Sequence, residues 1–160
     1  DNKGNEISLH LASSAIKANL ALWVYLNNMA AYNDLLMIDE PEINLHPDAQ
    51  RHMARFIAFL VNKGIKVAIS THSDYFIREL NSLIMLNNDF SNKKETMSKY
   101  GYLSRDKLSC DQLVAYCFEN GNATMLPMES MYGVQVDTFD NVINSMNEAY
   151  SLIQFQLDSE

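Results

Sequence analysis

Residues 35–47 read Leu-Leu-Met-Ile-Asp-Glu-Pro-Glu-Ile-Asn-Leu-His-Pro, an unbroken apolar run that stops at two adjacent acids. Leu35 to Ile38 have the length and character of a strand buried on both faces, as in a parallel sheet. Such strands deliver functional residues at their carboxyl ends, and Asp39 and Glu40 stand at that end. Two carboxylates at the mouth of an apolar sheet are costly unless a cation or a reaction uses them. Nucleotide hydrolysis fits: one acid for Mg²⁺, the other for the attacking water.

A second apolar strand is expected at Ile65 to Ser70, with His72 just beyond its carboxyl end. Between the strands, Pro47 and Asp48 suit the start of a helix, and Gly64 suits its end. Met53, Phe56, Ile57 and Leu60 should form its buried stripe. Upstream, Ser13 or Ser14 can cap a helix running to about Ala31. Its Ile16, Leu20, Trp23 and Leu26 recur at helical spacing and should face the core. Strand–helix–strand order supports right-handed parallel crossovers.

These pieces resemble an ABC-type ATPase domain. Residues 35–47 look like the Walker B motif and D-loop, closest in form to the RecF/SMC-like and OLD-like branch. The segment from Leu11 to Lys17 resembles the signature segment at a helix start. Ser70-Thr71-His72-Ser73 resembles the switch-histidine loop. The resemblance covers roughly residues 8–86, and the three motifs stand in the family's order. It implies the C-terminal half of a P-loop NTPase fold, mainly a parallel sheet flanked by helices, with a β-hairpin and a C-terminal helix added.

The same resemblance implies site roles and ligands. Asp39 would hold Mg²⁺, typically through water. Glu40 would polarise the lytic water, and His72 would contact the terminal phosphate of ATP. Ser13 and Ser14 would offer a helix start to the ATP of the opposite subunit. Asn44, with Leu45, would meet its counterpart across a homodimer. Glu42 would be a further acid near the site, and His46 a packing residue of the D-loop. Ala15 stands where the family pattern has glycine, which sets a Cβ where phosphate approaches closely.

One family element does not occur. No G-x-x-x-x-G-K-[ST] loop, nor even a Gly-Lys dipeptide, is found in the 160 residues. With the start at Asp1, this leads to the expectation of a single domain, residues 1–160, forming the C-terminal portion of a longer ATPase and inactive alone.

The rest of the chain carries less. Residues 87–111 read as a polar loop or weakly helical insertion. Leu113–Phe118 and Ala123–Met128 flank Asn120-Gly121, a tight-turn signal. From Val136 to about Leu157, apolar residues recur as an amphipathic helix. A short helix near residues 74–80 should precede an apolar segment at 83–86. Cys110 and Cys117 fit neither a metal pair nor a disulfide framework, which suits a reduced, cytoplasmic protein. A net charge of −8 argues against a general nucleic-acid-coating surface, while leaving room for a local basic patch or for DNA bound elsewhere. No stretch reaches the apolar length of a membrane span. The resulting expectation is an ATP-gated dimer acting in DNA maintenance or phage defence, with a DNA or nuclease partner. The competing readings are a non-hydrolysing docking module of the same fold and a transporter ATPase subunit.

Overall fold

Two short strands lying side by side set the position of everything that follows. In the computed structural model, which describes Ser8, His10 and residues 12–158, β1 (Leu35–Asp39) runs parallel to β2 (Lys66–Ser70). Their register pairs Leu35 with Lys66 and Asp39 with Ser70, so the two strands end together. The crossover between them is α2 (Pro47–Asn62).

The boundaries of α2 follow from local chemistry. His46 Nδ1 accepts from the Asp48 amide at 3.3 Å, and Pro47 occupies the first turn, where its missing N–H costs nothing. At the other end, Gly64 N–H reaches Val61 O at 2.9 Å and Ile65 N–H reaches Leu60 O at 3.1 Å. This double closure requires a left-handed residue, and Gly64 has φ +88°.

The core is built by α2 and by α3 (Asp74–Met85), which pack on each other. Ala54, Ile57, Ala58, Phe76, Leu80 and Leu83 form its centre, with Val67 and Ile69 of β2 packed against it. On α2 the buried stripe is Ala54, Ile57, Ala58 and Leu60, while Met53 and Phe56 are half-buried. The stripe is centred where small alanines let α3 approach. α3 is also one continuous helix, not a short helix followed by a separate apolar segment: Leu80, Leu83 and Ile84 keep helical spacing and are all buried.

The structure corrects the expectation of a strand buried on both faces. β1 alternates: Leu36 and Ile38 are half-buried, whereas Leu35 is 63 % and Met37 74 % exposed. Among the described residues the parallel sheet has only two strands, with α2 and α3 packing against one side. The mainly parallel sheet flanked by helices is therefore corrected to a mixed architecture. It has one parallel pair and two antiparallel ladders.

A second correction concerns α1 (Ser14–Asn28). Ile16 and Trp23 are 57 % and 62 % exposed, although their spacing pointed inward. Leu20 and Leu26 are half-buried. The core is closed by α2 and α3 without this helix. α1 is instead tied to β1 through Asp34, whose Oδ2 accepts from Tyr25 Oη at 2.8 Å and from the Ala31 amide at 2.9 Å.

Residues 87–111 are anchored despite their polar composition. They contain α4 (Lys93–Tyr100) and two short 3₁₀ turns. Leu108 is buried in the main core. Asn62 of α2 donates to the carbonyls of Arg105 and Lys107 at 3.0 and 2.8 Å. Arg55 donates to Gly101 O at 3.0 Å and lies 4.2 Å from the Tyr102 ring centroid.

Beyond this, β3 (Tyr116–Glu119) and β4 (Asn122–Met125) form the expected hairpin. Asn120 and Gly121 both have positive φ, as its tight turn requires. A small ladder follows that the sequence did not announce, pairing β5 (Met128–Glu129) with β6 (Gly133–Val134). Asn81 of α3 holds it by exchanging two hydrogen bonds with the Val134 backbone. The last helix among the described residues is α5 (Asp137–Leu157). Among the described residues, no helix is long and apolar enough to cross a membrane.

Candidate active site

Because β1 and β2 end in register, Asp39 faces Ser70 across the sheet. Ser70 Oγ donates a short hydrogen bond to Asp39 Oδ1 and accepts from the Glu40 amide at 3.1 Å. One hydroxyl thus orients the first acid and pins the backbone of the second.

Glu40 turns the chain sharply, with φ +45°, a region that non-glycine residues seldom occupy. Ile43 N–H closes onto Glu40 O at 2.9 Å, and Leu45 N–H onto Glu42 O at 3.1 Å. Asn44 adopts φ +61° and is exposed. Two consecutive turns therefore present Glu40 on one side and bury Pro41 and Glu42 on the other. Such local strain persists where surrounding contacts over-determine it.

Glu40 Oε1 lies 3.8 Å from His72 Nε2, within ion-pair range but beyond a hydrogen bond. The His72 side chain is largely exposed. The structure therefore gathers Asp39, Glu40 and His72 at one sheet end. Ser13 and Ser14 lie elsewhere in the bonding pattern. Ser13 Oγ caps α1 by accepting from the Ile16 amide at 3.3 Å. Neither serine bonds the Asp39–His72 group, nor does Asn44. Leu11, at the start of the signature-like segment, lies outside the described residues.

Glu42 makes contacts that the sequence did not reveal. It is only 6 % exposed. Its Oε1 accepts from Thr71 Oγ1 at 2.5 Å and from the His72 amide at 3.1 Å. Thr71 Oγ1 in turn accepts from the Ser73 amide at 3.1 Å. Ser73 caps α3 and donates to Gln50 Oε1 at 2.5 Å. Gln50 donates to Leu45 O at 3.0 Å. A closed chain of hydrogen bonds thus fastens the loop after β2 to the turns after β1. Glu42 Oε2 is buried and has no hydrogen-bond partner among the described residues. The alternation of polar residues in Thr71, Ser73 and Gln50 gave no periodic signal, so only the strand register exposes this chain.

Residues 2–77 match the AAA ATPase domain family. The match supports an AAA-type ATPase domain over this segment, and every residue of the Asp39–His72 group falls inside it. No curated protein and no solved structure gives a significant match.

The donor set of the Asp39–His72 group is compatible with magnesium. Asp39 and Ser70 offer two hard oxygens side by side, and Mg²⁺ takes one or two such protein ligands and keeps waters and phosphate oxygens for the rest. Among the described residues there is no cluster of three or more His, Cys, Asp or Glu side chains that could hold a metal. The fit is therefore to an ion that needs few protein ligands.

Proposed function

We propose that this chain provides the carboxylate–histidine side of an ATP-hydrolysing site of the RecF/OLD-like kind, used with Mg²⁺. The observation that carries the reading is the convergence of Asp39, Glu40, Ser70 and His72 at the shared carboxyl end of two parallel strands. Carboxylates placed there are the recurrent means of handling a nucleotide's charged phosphates.

Each residue then has a distinct task. Asp39 and Ser70 would hold Mg²⁺, which neutralises charge on the phosphate oxygens when bound. Glu40 takes a proton from, or orients, the attacking water. His72 donates to the terminal phosphate, and the Glu42–Thr71 bond keeps its backbone in place. Ser13 and Ser14 at the start of α1, and Asn44 in the D-loop-like turn, face the nucleotide or the same segments of a second subunit in a homodimer. The phosphate-cradling loop comes from outside these residues, since no such motif occurs in them. The domain is then the C-terminal portion of an ATPase, acting in the cytoplasm on DNA maintenance or phage defence.

The first step is testable in the chain itself. Mn²⁺, a paramagnetic stand-in for Mg²⁺, should broaden the amide resonances of Asp39, Glu40 and Ser70 before any others. Asp39→Asn should abolish that broadening. Broadening centred elsewhere, or unchanged in the variant, would overturn the assignment.

A further inference from the structure

The charge of this chain is not evenly spread. All twelve Lys and Arg residues lie within residues 1–107, where twelve acids balance them. Residues 108–160 contain eight acids and no Lys or Arg, so this third of the chain carries the entire net charge of −8.

The same region exposes ordered apolar faces. On α5, Val142, Met146, Tyr150, Ile153 and Leu157 are each 59–68 % exposed. At the helical repeat they fall within an arc of about 80°. Glu148 sits on the opposite side of the helix, Asp158 caps its C-terminal end, and Leu152 and Phe155 are exposed away from this stripe. In the hairpin, Tyr116 pairs with Met125 and Phe118 with Ala123, so these four share one face. Tyr116, Phe118 and Met125 are all exposed. Two elements that each expose an ordered apolar stripe, in a region without a single basic side chain, are suited to association.

We propose that the C-terminal region, with α5 as its centre, is a docking surface for a basic protein segment that presents an apolar helical stripe. The occupant follows from charge. A second copy on the same surface would oppose one eightfold negative region to another, and nucleic acid or an anionic membrane would meet the same repulsion. A basic amphipathic helix satisfies both features: its apolar side seats on Val142, Met146 and Ile153, and its field is attracted to the acids. The surface lies outside the Asp39–His72 group and needs no nucleotide.

The test uses the whole 160-residue chain and two synthetic helical peptides of about five turns. Both carry the same leucine stripe, and their polar faces are all Lys or all Glu. Fluorescence anisotropy should show binding of the Lys peptide, weakened by salt, and at least about tenfold weaker binding of the Glu peptide. The double variant Met146→Glu, Ile153→Glu separates docking from bulk attraction. It adds negative charge, so mere attraction would strengthen binding, whereas a required stripe predicts a loss of about tenfold or more. Unchanged circular dichroism and melting would show that the α2–α3 core is intact in the variant. A second variant, Glu148→Gln with Asp158→Asn, should flatten the salt dependence while keeping the stripe. Equal binding of both peptides, binding of neither, or undiminished binding by the Met146/Ile153 variant would overturn the proposal. So would a sedimenting dimer of the chain that this variant converts to monomer, since a second copy would then be the occupant.

Discussion

Ser70 and Asp39 are thirty-one residues apart in sequence and face each other at the end of a parallel ladder, where the serine hydroxyl donates directly to the aspartate carboxylate. The same hydroxyl accepts from the Glu40 amide. One small side chain therefore sets the direction of an acid and the backbone position of its neighbour.

Removing that hydroxyl should disturb the site more than the fold. Ser70→Ala is expected to weaken Mn²⁺ binding about tenfold, as loss of a ligand-orienting partner commonly does. It should lower unfolding free energy by only about 1 kcal/mol. Relaxation titration and urea unfolding measure the two effects separately. A stability loss without any change in metal affinity would remove Ser70 from the site.

Glu42 should behave in the opposite way. Glu42→Ala deletes a buried acceptor and leaves Thr71 Oγ1 and the His72 amide without their partner, a loss of about 2 kcal/mol or more. Glu42→Gln keeps an oxygen for both donors and should cost clearly less. Hydrogen exchange at the His72 amide gives a local check. It should quicken in the alanine variant ahead of amides in α2, and uniform quickening would point to a global effect instead.

A buried ion pair joins the two core helices. Glu79 of α3, 3 % exposed, accepts from Arg51 Nε at 2.7 Å and from Arg55 Nε at 2.5 Å, both on α2. This hydrogen bond holds the Arg51 guanidinium above its ordinary pKa. Glu79→Ala should cost about 3 kcal/mol because it strands Arg55, itself largely buried, without its counter-charge. Denaturant melts would reveal the loss. A neutral result would mean that Arg55 is satisfied by the Tyr100 and Gly101 carbonyls and the Tyr102 ring alone.

Acid should loosen the link between α1 and β1 through Asp34. The Ala31 amide, and then the Tyr25 hydroxyl, hold its carboxyl below the ordinary carboxylate pKa. A lowered pKa stabilises the fold above the unfolded value, about 3.9, and that contribution fades as pH falls through the folded value. Protection of the Ala31 amide, its exchange measured against the intrinsic rate at each pH, should therefore fall in acid, and Asp34→Asn should remove most of that pH dependence. Identical acid profiles for the two proteins would show that another group is responsible.

The sequence showed the acids and the histidine because strand ends and apolar runs leave local marks, such as the break from Ile38 to Asp39. It could not show Ser70 as the partner of Asp39. That contact depends on the register between two strands separated by a helix, and no spacing rule encodes it. The apolar run of Leu35–Ile38 also could not say how many layers would cover it, so Leu35 and Met37 were expected inside and stand outside. Trp23 misled for the same reason. Residues 87–111 misled in the other direction. Their polarity hid a backbone fastened by Asn62, Arg55 and Asn87, with Leu108 set in the core.

The parallel pair has two outer edges, and among the described residues no strand occupies either one. An unfilled edge acts as a ruler. A parallel strand aligned beside β1 would copy its direction and lie about 4.8 Å away. Whatever loop follows such a strand would then be delivered next to Asp39 by backbone pairing, without any side chain having to steer it.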